Sequence, residues 1–446
     1  MQIPVNIGSR RELFVDTMLI DELLNTRLQL QHPERREVVL ETNAIAECQT
    51  SAYYNFIFDD GKIRLYYRGN SPYHDSPEQT VNYAESSDGV NFTRPVMDII
   101  DFQGNTENSI VYQGVAGHNF YVFRDDNPAC KTDERYKAVG GGEWQKLYGL
   151  VSPDGLHWRK IQDAPLNIIG EFDSLNVVFW DAITCSYRLF SRKWIGVRSI
   201  QSCSSTDFIH WSDPVLHEYG NDTDLVEYYT NATIPCPGAE HILLSFPKRF
   251  ITSHTKDIDS EEYKYRGEGT SDAVFMSSRD GVNWYRFHEA WVRPGLDQRN
   301  WTHRNNMVAC GIARTSDSEW SMYISEHYGW ETNRLRRLAV QPWRFAGISA
   351  DYNGGELITN PLIFTGDNLY INASTSAAGS IFVEIQDEEG KSLSGYTLED
   401  AQPWFGDELN AVVEWKNDAD VSHLAGQPIR LRFVMKDADI FSLQFK

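Results

Sequence analysis

Long apolar runs are missing from this chain. No stretch approaches the roughly 20 residues that a membrane-spanning helix needs, and the start, Met1 to Arg11, lacks the apolar centre of a secretory leader. As written the chain reads as cytoplasmic, or as periplasmic or secreted if a leader has been removed. Basic residues are also scarce. Lys and Arg number 41 against 63 Asp and Glu, a formal charge of -22, which argues against a nucleic-acid partner because such binding needs a basic footprint. The six cysteines (Cys48, Cys130, Cys185, Cys203, Cys236, Cys310) show no CxxC spacing and read as reduced, mostly buried thiols. There is no GxSxG, P-loop or Rossmann glycine motif, and Gly140-Gly141-Gly142 reads as a flexible loop. His303 and His327 have no partner at metal-ligand spacing, so no metal or cofactor is assigned. A structural Ca2+ held by loop carboxylates is the weaker alternative. Long helical periodicity is absent too, which leaves short strands separated by turns and an all-β chain.

What the sequence does contain is a repeat. Ser152-Pro153-Asp154-Gly155-Leu156-His157-Trp158 is matched by Ser86-Ser87-Asp88-Gly89-Val90-Asn91-Phe92 and by Ser278-Arg279-Asp280-Gly281-Val282-Asn283-Trp284. A fourth copy, Ser205-Thr206-Asp207-Phe208-Ile209-His210-Trp211, has lost its glycine. Each copy reads as strand, Asp-Gly hairpin turn, strand. Copies recurring at roughly 50 to 75 residues mark a radial array of small sheets.

At 446 residues the chain is long enough for two domains. Five units of about four strands each fit a five-bladed β-propeller over residues 1–350, with 1–40 as a lead-in that closes a sheet or packs on a rim. The blade motifs stop after Ala350, and 355–446 reads as a β-sandwich.

Antiparallel blades gather the starts of inner strands and the ends of second strands at one mouth of the channel. Inner-strand starts supply Glu47, Asn108, Asp173, Glu227 and Arg304. Second-strand ends supply Arg68, Arg124, Arg192 and Arg249, and Asp272 begins a third strand. This set reads as a binding funnel, with ion pairs tying blades together as the plain alternative. Arg offers a planar fork of donors to hydroxyls, carboxylates or sulfates. Trp144, Trp194, Trp301 and Trp330 lie near strand ends, where an aromatic face could stack on a sugar.

Several stretches resemble a known family. They include Leu13-Phe14-Val15-Asp16, Tyr66-Tyr67-Arg68-Gly69, Tyr83-Ala84-Glu85-Ser86, Glu134-Arg135-Tyr136-Lys137-Ala138 and Phe172-Asp173-Ser174-Leu175-Asn176. Tyr229-Thr230-Asn231, Phe275 to Gly281 and Arg293-Pro294-Gly295 belong with them. The chain resembles bacterial proteins similar to the N-terminal domain of glycoside hydrolase family 32, in the furanosidase-like superfamily with families 43 and 68. The resemblance spans nearly the whole chain and implies three catalytic carboxylates on the inner strands of the first three blades. This sequence departs from that pattern, since its second unit starts with Asn108, and nothing matches a Trp-Met-Asn-Asp-Pro nucleophile motif. Arg124-Asp125-Asp126 is similar to that family's Arg-Asp-Pro.

The expectation is therefore an exo-acting glycoside hydrolase that uses paired carboxylates. Asp173 and Glu227 lead, with Glu47, Asp126 and Asp272 as reserve acids. Arg68, Asn108, Arg124, Arg192, Arg249, His303 and Arg304 would bind substrate. Two alternatives stay open: a carbohydrate-binding propeller without catalysis, and a phosphorylase whose Arg cluster seats inorganic phosphate.

Overall fold

The computed structural model describes residues 3–69, 79–143, 145–256, 258, 261–263, 267–416 and 418–446. It is nearly all-β, with a few short 3-10 turns. Two compact units are present. One combines the segment through His32 with Cys236–Ala239 and Gln341–Lys446; the other holds Pro33–Pro235 and Glu240–Val340.

The larger unit is built from small antiparallel sheets. The first contains Ala52–Asp59, Lys62–Arg68, Gln79–Ser86 and Ile110–Gly114. A second contains Tyr121–Arg124, Tyr136–Glu143, Lys146–Ser152 and Arg159–Lys160. The third runs Val177–Asp181, Ser186–Trp194, Arg198–Ser205 and Val215–Leu216. The fourth region splits into two ladders. Tyr228–Thr230 pairs with Lys248–Ile251, which pairs with Thr270–Ala273, and Thr233–Cys236 lies with Ala239–Ser245, Met276–Ser278 and Trp284–Arg286. In the last sheet Trp320–Glu326 pairs with Arg334–Val340, which pairs with the early strand Glu34–Glu41. The sheet thus joins the two ends of the unit.

The repeated Ser-x-Asp-Gly motif is the joint between sheets. It follows the third strand in each of the first four, and its loop is longer than the two-residue hairpin expected from sequence. Asp88 Oδ1 accepts the N–H groups of Val90 and Asn91, and Ser86 Oγ accepts that of Gly89. The Asn91 backbone N–H, then its side chain, hold the Asp88 carboxyl well below the usual carboxylate range. The same bonds recur at Asp154, Asp207 and Asp280. The fourth residue of each copy sits at positive φ, which explains the glycines. Phe208 adopts φ 68° without being glycine, and its buried ring lies 5.9 Å from Phe123 of the second sheet.

Each motif touches the preceding sheet. Arg64 of the first donates to Asp154 O at 2.7 Å, Arg188 of the third to Asp280 O at 2.5 Å, and Tyr323 of the last to Gly89 O at 2.8 Å. Buried asparagines add further ties. Asn55 donates to Phe120 O and accepts from Val122 N, and Asn306 donates to Ser271 O.

The smaller unit is a single hydrogen-bonded sheet of ten strands. Two of its strands are long, Leu369–Asp387 and Ile429–Phe445, and they pair along their length with an irregularity between Thr375 and Ser380. Residues before His32 belong to this unit: Val5–Gly8 pairs with Leu362–Phe364 and Ile20–Leu24 with Gly355–Thr359. Among the first 40 residues, Glu34–Glu41 is the strand that goes with the larger unit. The division differs from the expected 1–350 and 355–446 because strand pairing, which sequence order does not reveal, decides it.

Candidate active site

Six expected residues converge at the inner-strand starts of the larger unit: Arg68, Asp173, Arg192, Glu227, His303 and Arg304. Ala52 pairs with Arg68, which fixes that arginine beside the start of the first inner strand. Its guanidinium lies 4.7 Å from the Tyr53 ring and donates to Thr50 O at 2.8 Å. Tyr53 holds φ 58° and Arg304 φ 62°, conformations that bulky residues rarely take. Such strain gathers at functional sites.

The centre of the group is Tyr229, a buried ring that the sequence offered within Tyr229-Thr230-Asn231 but not as a site residue. Lys248 Nζ stands 3.8 Å from its centroid, and the guanidinium carbons of Arg198, Arg192 and Arg304 stand at 5.1, 5.5 and 5.6 Å. Lys248 is fully buried. Burial, then the fields of Arg304, Arg198, Arg192 and Arg68, push its pKa far below the ordinary lysine value. The carboxylates answer this charge. Asp173 pairs with Arg192 and Glu227 with Arg198. Glu171, also buried, accepts the N–H of Trp194 at 2.7 Å. Burial and the neighbouring cations lower His118 and His303 to about 3, so both imidazoles are neutral at ordinary pH. Arg304 Nε donates to His303 Nε2 at 2.9 Å, and its Nη1 to the Tyr328 hydroxyl at 3.3 Å.

The other expected residues lie elsewhere. Asn108 precedes Ile110–Gly114, the outer strand of the first sheet, and its amide donates to Ile100 O and Asn105 O. Tyr121–Arg124 is the first strand of its sheet, not the second, so Arg124 ends at the far side, 2.9 Å from Asp59. Asp126 goes with it, 72% exposed and 3.5 Å from Arg124. Glu47 is enclosed, held by Arg94 at 2.7 and 2.9 Å and by the Tyr67 hydroxyl. Arg249 and Asp272 neutralise each other in a two-pronged pair at 2.9 and 2.6 Å. Strand alternation explains that miss: Lys248, one residue earlier, is the one that faces Tyr229. Trp194 is half exposed, 5.8 Å from Arg198, and is the indole placed beside the group. Trp330 is buried in a stack with Tyr263, Trp301 bonds Gly295 O, and Trp144 lies outside the described residues.

A separate trio, Asp222, Asp224 and His288, has potential metal-ligand atoms within 4.8 Å of one another. Arg286 already engages Asp222 and bonds the backbone of Asp224, so the trio fits an ion pair better than a cation site.

No family model matches the chain, and no curated protein matches it. Among solved structures, a GH130 protein from a family of mannoside phosphorylases and of hydrolases that target beta-1,2 mannosidic linkages in Candida mannan is 15% identical. That match covers 70% of this chain and 94% of the other at TM-score 0.45. A glycosyl hydrolase from Bacteroides ovatus is 14% identical over 71% and 95% of the two chains, TM-score 0.44. An N-acetylgalactosamine deacetylase from F. plautii is 12% identical over 73% and 95%, TM-score 0.43. Likeness at this level carries no inference about chemistry, and the functional reading rests on the site itself.

Proposed function

We propose that the larger unit is a five-bladed propeller and that the chain is an exo-acting glycoside hydrolase working at its Tyr229 mouth. The propeller reading is supported by the order of inter-sheet contacts, first to second, second to third, third to fourth and last to first. The observation that carries the enzymatic reading is the pair Asp173 and Glu227, from adjacent sheets, each held by an arginine over one tyrosine ring. One carboxyl group would protonate the leaving oxygen and the other activate water or attack the anomeric carbon. The arginines fix the carboxylates, and Trp194 offers a face for a sugar ring.

The test is turnover on a panel of aryl glycosides and natural oligosaccharides. Asp173→Asn and Glu227→Gln should each lower kcat by about 100-fold or more and leave the melting temperature close to that of the parent chain. Full activity in both variants would refute this assignment.

A further inference from the structure

We propose that the Lys248 ammonium, flanked by Arg192, Arg198 and Arg304, is an oxyanion site, so that one ligand of this mouth carries a carboxylate, sulfate or phosphate group. The inference deepens the hydrolase reading and rests on it for the location of the substrate.

Three observations lead there. First, the local charge runs against the whole. In a chain of formal charge -22, Arg68, Arg192, Arg198, Lys248 and Arg304 gather around Tyr229 and Tyr53, where Asp173 and Glu227 are the carboxylates in ion pairs. Second, Lys248 is fully enclosed, yet its Nζ has no hydrogen-bond partner among the described residues; the Tyr229 ring is what it touches. A buried ammonium without an acceptor is costly, and chains retain one where something else supplies the acceptor. Third, neighbouring donors are also unspent. Arg192 Nη1 and Arg68 Nε are buried without an acceptor among the described residues. Planar guanidinium donors beside an ammonium suit the several oxygens of an oxyanion. The plain alternative is that Lys248 stays a neutral amine packed on Tyr229. In that case the site would ignore anions.

The group has two sources: an acidic substituent on the sugar, or free inorganic phosphate. The experiment measures thermal shift and calorimetric binding of sodium phosphate, sodium sulfate and sodium glucuronate against sodium chloride at matched ionic strength. It compares the parent chain with Lys248→Met and with Arg198→Gln, whose partly exposed side chain is safer for folding. The expected result is saturable stabilisation by at least one oxyanion, weakened tenfold or more in both variants. Lys248→Met should melt no lower than the parent in anion-free buffer, since it replaces an unpartnered buried amine with an apolar side chain. Phosphate that binds and accelerates turnover of neutral oligosaccharides identifies the free ion. Glucuronate or sulfate binding with indifference to phosphate identifies a group on the sugar. No oxyanion effect beyond chloride, or equal effects in parent and variants, overturns the proposal. Asp173→Asn separates the two readings: it should abolish turnover and retain oxyanion binding. Turnover that survives in Asp173→Asn and Glu227→Gln sinks the hydrolase assignment alone.

Discussion

Asp59 and Arg124 give the sharpest test of which end of the larger unit does chemistry. The Asp59 side chain is fully enclosed and faces Arg124 at 2.9 Å, Arg135 at 3.3 Å and Arg64 at 3.9 Å, with the Tyr136 hydroxyl also bound. Burial pushes the carboxyl upward, but the Tyr136 bond and then Arg135, Arg64 and Arg124 outweigh it and hold it below the ordinary value. Losing one member of a buried charge network costs about 3 to 5 kcal/mol. Arg124 and Arg135 are 44% and 39% exposed, so solvent screens part of this, and the lower end applies to Asp59→Asn. At about 2 °C per kcal/mol for a unit of this size, the melting temperature should fall by about 6 °C. The sign of the pH effect follows from the lowered folded pKa. The contribution is present above about pH 4 and is lost as pH falls through the folded value, so Asp59→Asn should flatten the acid limb of the stability curve. Arg124→Ala removes a half-exposed arginine and leaves Asp59 its contacts with Arg135, Arg64 and Tyr136, so it should cost only about 0.2 to 1 kcal/mol. Neither variant should change KM, measured on whichever glycoside the chain turns over. A tenfold rise in KM for Arg124→Ala with an unchanged melting point would refute the placement of the site at the Tyr229 end.

Other expectations concern the joints and the units. Gly281→Ala forces a side chain onto φ 78° and against the Arg188 guanidinium, which donates to Asp280 O. A loss of about 1 to 2 kcal/mol in denaturant titration is expected, and no loss would remove this turn from the inter-sheet contacts. Phe208→Ala empties a buried ring site against Phe123, Tyr187 and Trp211 and should cost about 3 to 5 kcal/mol by the same assay. Truncation before Gly355 strips the strands that pair with Val5–Gly8 and Ile20–Leu24, leaving bare edges, whereas residues 33–340 keep their own ladders. The truncated chain should aggregate in a sedimentation assay and the 33–340 chain should not. The reverse outcome would refute the assignment of the N-terminal strands.

Local chemistry was legible in the sequence, and strand count was not. The Ser-x-Asp-Gly copies announced a repeat because a positive-φ turn needs glycine and an Asp acceptor, and those residues stand out in any composition. Their function as joints was not visible, since Arg64, Arg188 and Tyr323 reach them from other sheets. The second unit went astray because Ile110–Gly114, which looks like a first strand, pairs back onto Gln79–Ser86 as the fourth of the preceding sheet. That slip of one strand carried Asn108 off the mouth and placed Arg124 and Asp126 at the wrong end. The third sheet was counted correctly, and Asp173 and Arg192 landed together.

The site followed a finer rule. In Lys248-Arg249-Phe250 the arginine is the more conspicuous residue, yet side chains of a strand alternate, so only one of two adjacent cations can face the mouth. Pairing settles which. Arg249 lies opposite Asp272 in the ladder and is neutralised there, while Lys248 lies opposite Ala273, and its Nζ meets no hydrogen-bond acceptor among the described residues. A sequence signal existed in that contrast: a carboxylate spaced to sit across from one cation and a small apolar residue across from its neighbour. The same reasoning separates the carboxylates. Glu47 has a dedicated arginine and a tyrosine in an enclosed place, whereas Asp173 stays 41% exposed beside its arginine and can reach a ligand. Paired and enclosed charges hold sheets together; charges left open or without a partner at a strained strand start are the ones free to do chemistry.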